Sequence, residues 1–557
     1  MAENTVDRKY GGGERKPLGP APTWEQVLQR NSIERLKREK PLHTLLSDEL
    51  DELSTRHYLE IPEEDIVRLK WYGLYHDKPK VGTFMLRIKI PAGLLPPESL
   101  RTIGEISNTY GKGYAELSTR QNVQLHFITL PKLPEILDKL TAGGLTTAGG
   151  CGDTTRNITG CPLEGVLATE AFDCTPVVEE AATFFFGNPE YFDLPRKQKF
   201  TISTCPHQCD MPEINCVSLI GVIHEGREGF AMKIGGGLST VPRMARDLGV
   251  FVRREEAIEV MRALLDEWKS DTRYRLSRVK ARMKFMVDDY GPEAIREKVE
   301  ARLGRKLESL PAPASIGFTD HMGVHEQKQR GFFHIGVPVP VGIVNGRQLV
   351  EVADLVQEFD GDVRLTKQQN FVITGVPEAR LDEVKERLGG FGFDIDGHPL
   401  HATAIACTGE PHCNFSVTET KTKMQELLEH LEQKWGDRLG NFKLNLDGCP
   451  HACSLHWVGD IGLMGTTARE TVEGTRQAYD LFLRGGVGPE QAVGRPLVRR
   501  VPTSRVPQAL DGLIGAWLDE RKDDETFRDF AIRKTDEELQ TLATGGTGAT
   551  PKEGVPA

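Results

Sequence analysis

MLRIKIPAG (85–93), PESLRTIGEISNTYG (97–111) and LSTRQNVQLHFI (117–128) read in turn as strand and turn, helix, and second strand. The helix LPEILDKLTAGG (133–144) follows and leads to Cys151. The same order returns later. FFHIGVPVPVG (332–342) is a strand and turn, RQLVEVADLVQEFD (347–360) a helix, and VRLTKQQNFVITG (363–375) the next strand. ARLDEVKERLGG (379–390) is the next helix, and it leads to Cys407. Arg120-Gln121-Asn122 and Gln368-Gln369-Asn370 hold the same place in the two copies. A two-residue echo arises by chance; a shared order of elements over about 65 residues implies one α+β unit used twice.

The echo continues past each copy. TCPHQCDMPEINCVSLIGV (204–222) matches GCPHACSLHWVGDIGLMG (448–465), and each runs on to a glycine cluster, KIGGGLS (233–239) and LRGGVG (483–488). A second α/β unit is therefore expected after each first one, giving two paired lobes. Charged helices such as REEAIEVMRALLDEWKSD (254–271) are expected to cover the outside. The expected boundaries are a mobile arm at 1–25, units at 26–150, 151–325, 326–400 and 401–543, and a disordered tail at 544–557. The 557-residue length agrees, being too great for a single core.

Composition narrows the function. With 38% hydrophobic and 27% charged residues the chain is an ordinary globular one. The net charge of −11 argues against a protein that coats nucleic acid. Without a long apolar run, a membrane span is not expected. The polar N-terminus has no apolar signal region, so a cytoplasmic location is expected. The ten cysteines sit at 151, 161, 174, 205, 209, 216, 407, 413, 449 and 453, clustered between two cysteine-free ends. In a reducing compartment such clustering points to metal or redox chemistry rather than to disulfides.

CTGEPHC (407–413) followed by CPHAC (449–453) carries the strongest signal. Four thiolates in two local pairs suit a zinc ion or a cubane iron–sulfur cluster. Structural zinc prefers two-residue gaps that aim both sulfurs at one ion. The wider, unequal gaps here suit a cluster whose irons lie at separate corners. Buried free cysteines are the plain alternative, and two tight pairs make it a weak one.

In this context the two pairs resemble the signature of the sirohaem nitrite and sulfite reductases, over roughly residues 60–500 and including the duplication. Within that family the chain is most similar to the ferredoxin-dependent assimilatory sulfite reductases. The resemblance implies a ferredoxin-like half-domain and an α/β sirohaem and cluster domain in each lobe. It implies that Cys407, Cys413, Cys449 and Cys453 hold a [4Fe–4S] cluster, with Cys453 also the axial ligand of sirohaem. It implies that Arg87, Arg156, Lys197 and Lys199 face a small oxyanion. Arg120, with Gln124 and His126, would hold sirohaem carboxylates, and Gly235, Gly236 and Gly237 would lie against the macrocycle. Taken singly, each cation is more often a solvated surface charge. Arg87 and Arg120 stand in apolar alternation, which predicts that both project from strands onto one face.

The resemblance further implies a six-electron reduction with ferredoxin as donor. A lysine at both 197 and 199 favours doubly charged sulfite over nitrite, with nitrite to ammonia the alternative. A non-catalytic iron–sulfur or zinc protein is the reading from another class, and it leaves the cations without a purpose. The basic run at 273–284 is the candidate surface for an acidic donor. Two smaller questions remain. Tyr75 and Cys151 are candidates for a thioether link, with unlinked residues the simpler expectation. Cys205 and Cys209 copy the spacing of Cys449 and Cys453. They are either a relic of duplication or half of a second metal site completed from Cys151, Cys161 and Cys216.

Overall fold

A computed structural model describes residues 18–545 except 411, 473 and 474. Contacts divide it into two compact units, the larger running to Ile395 apart from short segments at 238–242 and 340–342, the smaller formed by those segments and the chain from Asp396. Residues 1–17 of the arm expected at 1–25, and 546–557 of the tail expected at 544–557, lie outside the described residues. Gly19 and Pro22 accept hydrogen bonds from Arg273 and Thr272, and the helix Trp24–Arg30 begins directly after a Thr23 capping box.

The larger unit contains both copies of the first motif, because the copies exchange strands. One five-stranded sheet runs Leu74–His76, Thr83–Ile88, Val123–Thr129, Tyr114–Leu117 and Ile343–Asn345. The other runs Gly323–Glu326, Phe332–Val337, Phe371–Pro377, Asp362–Leu365 and Leu94–Leu95. The last strand of each sheet thus comes from the other repeat, pairing Val344 with Ala115 and Leu94 with Arg364. One apolar core including Ile88, Leu125, Ile335 and Ile373 serves both. Each such side chain contributes about 1.5–3 kcal/mol when fully buried, so neither half is expected to hold without the other.

The helices Pro97–Tyr110 and Gly346–Gln357 seal this exchange. Proline opens the first, and an Asn345–Gln348 capping box opens the second. Their backbones cross at two glycines. A Cβ on Gly104 would lie 2.7 Å from the Gly346 carbonyl oxygen, and one on Gly346 would lie 2.6 Å from that of Gly104.

The strands expected at 117–128 and 363–375 are each a hairpin. Tyr114–Leu117 turns into Val123–Thr129, and Asp362–Leu365 into Phe371–Pro377. Gln121 (φ 53°) and Gln369 (φ 65°) take left-handed conformations at the turns between these strands. Arg120 therefore stands in a turn rather than on a strand.

The second motif recurs as well. In the larger unit Phe200–Ser203 pairs in parallel with Val217–His224, which continues antiparallel through Arg227–Ile234 to Arg246–Arg253. In the smaller unit Leu444–Asp447 pairs in parallel with Ile461–Val472, then antiparallel through Thr475–Leu483 to Arg495–Pro502. A long helix follows each, Ala257–Ser270 and Val506–Glu520. The chain is thus α+β and internally duplicated.

Candidate active site and cluster ligands

Within the larger unit the cations converge. Arg87 projects from Thr83–Ile88, and its Nε and Nη2 donate to Gln124 Oε1 at 3.0 and 2.6 Å. Arg87 Nη1 and Arg156 Nη1 both donate to the Gly150 carbonyl, at 3.3 and 3.4 Å. Arg120 Nη1 reaches Asn215 Oδ1 at 2.9 Å, and its Nη2 the Asn157 carbonyl at 2.6 Å. Lys197 and Lys199 bracket Gln198, whose backbone hydrogen-bonds with Thr154 and Arg156.

These groups feel one another's charge. Burial pushes Arg120 down to about 9, and the fields of Arg156, Arg282 and Arg87 add to it. Burial pushes Lys199 well below the ordinary lysine range, with Arg120, Lys197 and Arg282 adding. Lys89 is pushed well down in the same way, by burial and then by Arg156 and Arg120. Burial and Arg282 bring Lys284 to about 6. Burial raises the Cys216 thiol, but Arg282 and Lys199 outweigh it and lower the thiol. Packing so many cations together is costly unless an anion completes the site.

Lys89, Arg282 and Lys284 are site residues that the sequence reading missed. Lys89 had a signal: it stands two residues from Arg87, just past the end of that strand, where extended spacing turns both to one side. Arg282 and Lys284 were read as part of a surface patch for the donor. The structure turns them inward, 7% and 3% exposed. Arg275 of the same run is buried against Glu34 and Asp193. The run at 273–284 is therefore not a continuous basic surface.

Gln124 and His126, expected at cofactor carboxylates, are engaged by protein groups. Gln124 accepts from Arg87 and donates to Glu116 at 3.1 Å. His126 Nδ1 lies 3.0 Å from Asp77, and its Nε2 lies 3.8 Å from Glu116. Burial opposes charge on this imidazole, but the two carboxylates outweigh it and raise it to about 9. Gln124 braces Arg87, and His126 is held between Asp77 and Glu116. The three glycines also serve the protein's own packing: a Cβ at Gly236 would meet the Glu213 and Asn215 carbonyls, and one at Gly237 the Arg282 guanidinium. Gly237 thereby gives Arg282 its place among the cations. Tyr75 lies under Arg87, 5.6 Å from guanidinium to ring, and Cys151 Sγ lies 3.2 Å from Arg156 Nη2.

In the smaller unit, Cys407 follows the strand Ile405–Ala406, and Cys449 and Cys453 follow Leu444–Asp447. The parallel pairing of these strands brings the loops at their ends together. Cys407 Sγ accepts the Gly448 amide at 3.3 Å. Burial raises the Cys407 and Cys449 thiols, and the charges of Cys413 and Cys453 raise both further, so the four sulfurs share one field. Among the described residues, the groups whose donor atoms all lie within 4.8 Å of one another do not include these four. That wider spacing suits a cubane with separate irons better than one ion. Cys453 is the exposed member of the four.

Comparison with known proteins agrees with this geometry. Residues 151–307 and 399–550 match the nitrite and sulphite reductase 4Fe-4S domain, and residues 76–143 and 325–390 match the nitrite/sulfite reductase ferredoxin-like half domain. The chain belongs to the nitrite and sulphite reductase family. It is 35% identical to sulfite reductase [ferredoxin] 1 of Mycolicibacterium paratuberculosis, over 85% of this chain and 89% of that one. It is 32% identical to the assimilatory ferredoxin-dependent nitrite reductase of Haloferax mediterranei, over 87% and 88%. The structure of the Mycobacterium tuberculosis NirA protein superposes with a TM-score of 0.86 at 32% identity, covering 92% of this chain and 97% of that one.

Sirohaem and a [4Fe–4S] cluster are accordingly the cofactors, and the residues fit them. The cations answer a macrocycle rich in carboxylates, and Arg120 Nε and Arg282 Nε are buried with no hydrogen-bond partner among the described residues. Among the described residues no helix is long and apolar enough to cross a membrane.

Proposed function

We propose that this chain reduces sulfite to sulfide, taking six electrons from ferredoxin. Converting sulfite to sulfide and three waters consumes six protons. The observation that carries the proposal is a convergence of buried and half-buried cations, in which burial first and neighbouring cations second depress Lys89, Arg120, Lys199 and Lys284. An electron carrier or a zinc scaffold has no use for it. When bound, the sirohaem coupled to the cluster supplies the redox chemistry. Cys407, Cys413, Cys449 and Cys453 would hold the cluster, and Cys453 would also serve the sirohaem iron. Arg120 and Arg282 would meet sirohaem carboxylates.

The remaining steps belong to this chain's own side chains. Arg87 and Arg156, aimed by the shared Gly150 carbonyl, present guanidinium forks to the oxyanion. Lys197 and Lys199 add charge. Lys199 Nζ, its pKa depressed by burial and by Arg120, gives up a proton readily to a departing oxygen. The second lysine matches the greater charge of sulfite. Nitrite to ammonia is the second reading, favoured by the like identity of relatives named for each substrate. None of the ten cysteines is paired in a disulfide, and the cytoplasm is the location proposed.

The test is kcat/KM for sulfite and for nitrite with reduced ferredoxin, on holoenzyme whose sirohaem bands shift on adding sulfite. Faster sulfite turnover supports the proposal. Turnover of nitrite alone selects the second reading, and turnover of neither removes both.

A further inference from the structure

The larger unit contains a second set of metal-type donors, apart from the cluster cysteines. Cys161, Cys205, Cys209 and His321 are all buried, and their donor atoms all lie within 4.8 Å of one another. His321 Nε2 lies 3.7 Å from Cys161 Sγ. A zinc ion bound at about 2.3 Å to sulfur and about 2.0 Å to nitrogen spaces its tetrahedral donors about 3.5–3.8 Å apart. The set is therefore sized for one ion. We propose that Cys161, Cys205, Cys209 and His321 form a closed, structural zinc site.

Of the cysteines considered for such a site, Cys161 takes part. Cys151 and Cys216 do not, since they lie beside Arg156 and Arg282. The fourth donor is a histidine more than a hundred residues further on, which no spacing rule connects to the cysteines.

The surroundings are built for these donors. Cys161 Sγ accepts the Leu163 amide at 3.4 Å, as knuckle thiolates do. Lys367 lies in the field of Cys209 and offers a countercharge to an ion with three thiolates.

His321 is held there deliberately. Its φ of 61° is left-handed, a conformation that persists only where the surroundings enforce it. A side chain at Gly336 would collide with the His321 carbonyl, so that glycine makes room for the approach. Three bonds tie the segment before His321 to the Cys205–Cys209 turn: Ile316 N to the Pro206 carbonyl, Ser315 Oγ to the His207 carbonyl and Gln208 Nε2 to the Pro313 carbonyl, at 3.1, 2.7 and 2.9 Å.

The role follows from what the donors join. Cys161 lies in an irregular loop, Cys205 and Cys209 in a turn after a strand, and His321 in an extended segment without regular structure. The local apolar cluster is small, chiefly Leu163, Val166 and Val372 around the cysteines. A metal would staple three loops that apolar burial alone holds weakly.

The experiment counts zinc and iron in holoenzyme purified without chelator. About one zinc per chain is expected beside the irons of sirohaem and cluster. His321→Ala and Cys161→Ser should lower zinc at least tenfold while the sirohaem bands and the iron content stay. Zinc-edge X-ray absorption of the unmodified protein should show three sulfurs at about 2.3 Å and one nitrogen at about 2.0 Å; this holds even if the variants fail to fold. Holoenzyme without zinc, zinc that survives both substitutions, or an oxygen-rich zinc shell would each overturn the proposal.

Discussion

Gln121 and Gln369 each hold the opposite repeat. Gln121 Nε2 donates to the Leu365 carbonyl at 2.7 Å, and Gln369 Nε2 donates to the Leu117 carbonyl at 2.9 Å. Each carbonyl closes the strand before the other glutamine's turn. Gln121 also reaches the Ala92 and Gly160 carbonyls, so one buried amide ties three segments. Removing it strands buried acceptors at about 1–3 kcal/mol. Gln121→Ala should lower the urea midpoint of the holoenzyme accordingly. Gln121→Gly should cost less, because glycine accepts the left-handed φ without penalty. Equal midpoints for the two variants would remove the backbone part of this account.

The repeat was legible because that pair of turns shows in the sequence. Strand and helix order followed from it, and the proposed cluster cysteines and substrate cations came from the family resemblance. The hairpins did not, since Ser-Thr-Arg-Gln-Asn contains neither glycine nor proline to mark a turn. Nor did the exchange of Leu94–Leu95 and Ile343–Asn345, because segments so short carry no periodicity. Lys89 was hidden by neighbours that read as apolar core. Arg282 and Lys284 were hidden by a run of charge that looked like a solvated face. His321 was beyond reach, as only the fold brings it to Cys161.

In the proposed function Lys199 would separate the two substrates. Losing one charge-assisted contact to a dianion costs about 1.5–3 kcal/mol, or roughly ten- to a hundredfold. Lys199→Asn should lower kcat/KM for sulfite by that factor and lower it less for nitrite. The ratio of the two, measured with the same reduced ferredoxin, is the readout. An unchanged ratio would take Lys199 out of substrate choice.

Sirohaem loading should take up protons. Lys284, at about 6 in the cation field, is largely neutral at pH 7.5. An arriving carboxylate raises an ammonium pKa, so the group gains a proton as the cofactor binds. Indicator dye in weak buffer should report net uptake when sirohaem is added to apoprotein. Lys284→Met should reduce that uptake by up to one proton per chain. No uptake in either protein would mean that the carboxylates do not enter this field.

His126 gives the fold a pH dependence of the opposite kind to that of a paired carboxylate. Its folded value of about 9 lies above the ordinary 6.5, because Asp77 and Glu116 outweigh the cost of burial. A raised histidine favours the folded state fully while both states are protonated, below about pH 6.5. Between there and about 9 the unfolded chain has lost its proton and the folded one has not, so stability falls with rising pH. A gap of that width corresponds to roughly 3 kcal/mol at most. His126→Gln should flatten this part of the curve while leaving the acid side to the carboxylates. The comparison is urea midpoints of the two proteins at steps from pH 6 to 9.5. Parallel curves would show that the imidazole is neutral in the fold, and that Asp77 and Glu116 owe their place to Arg87 and its brace instead.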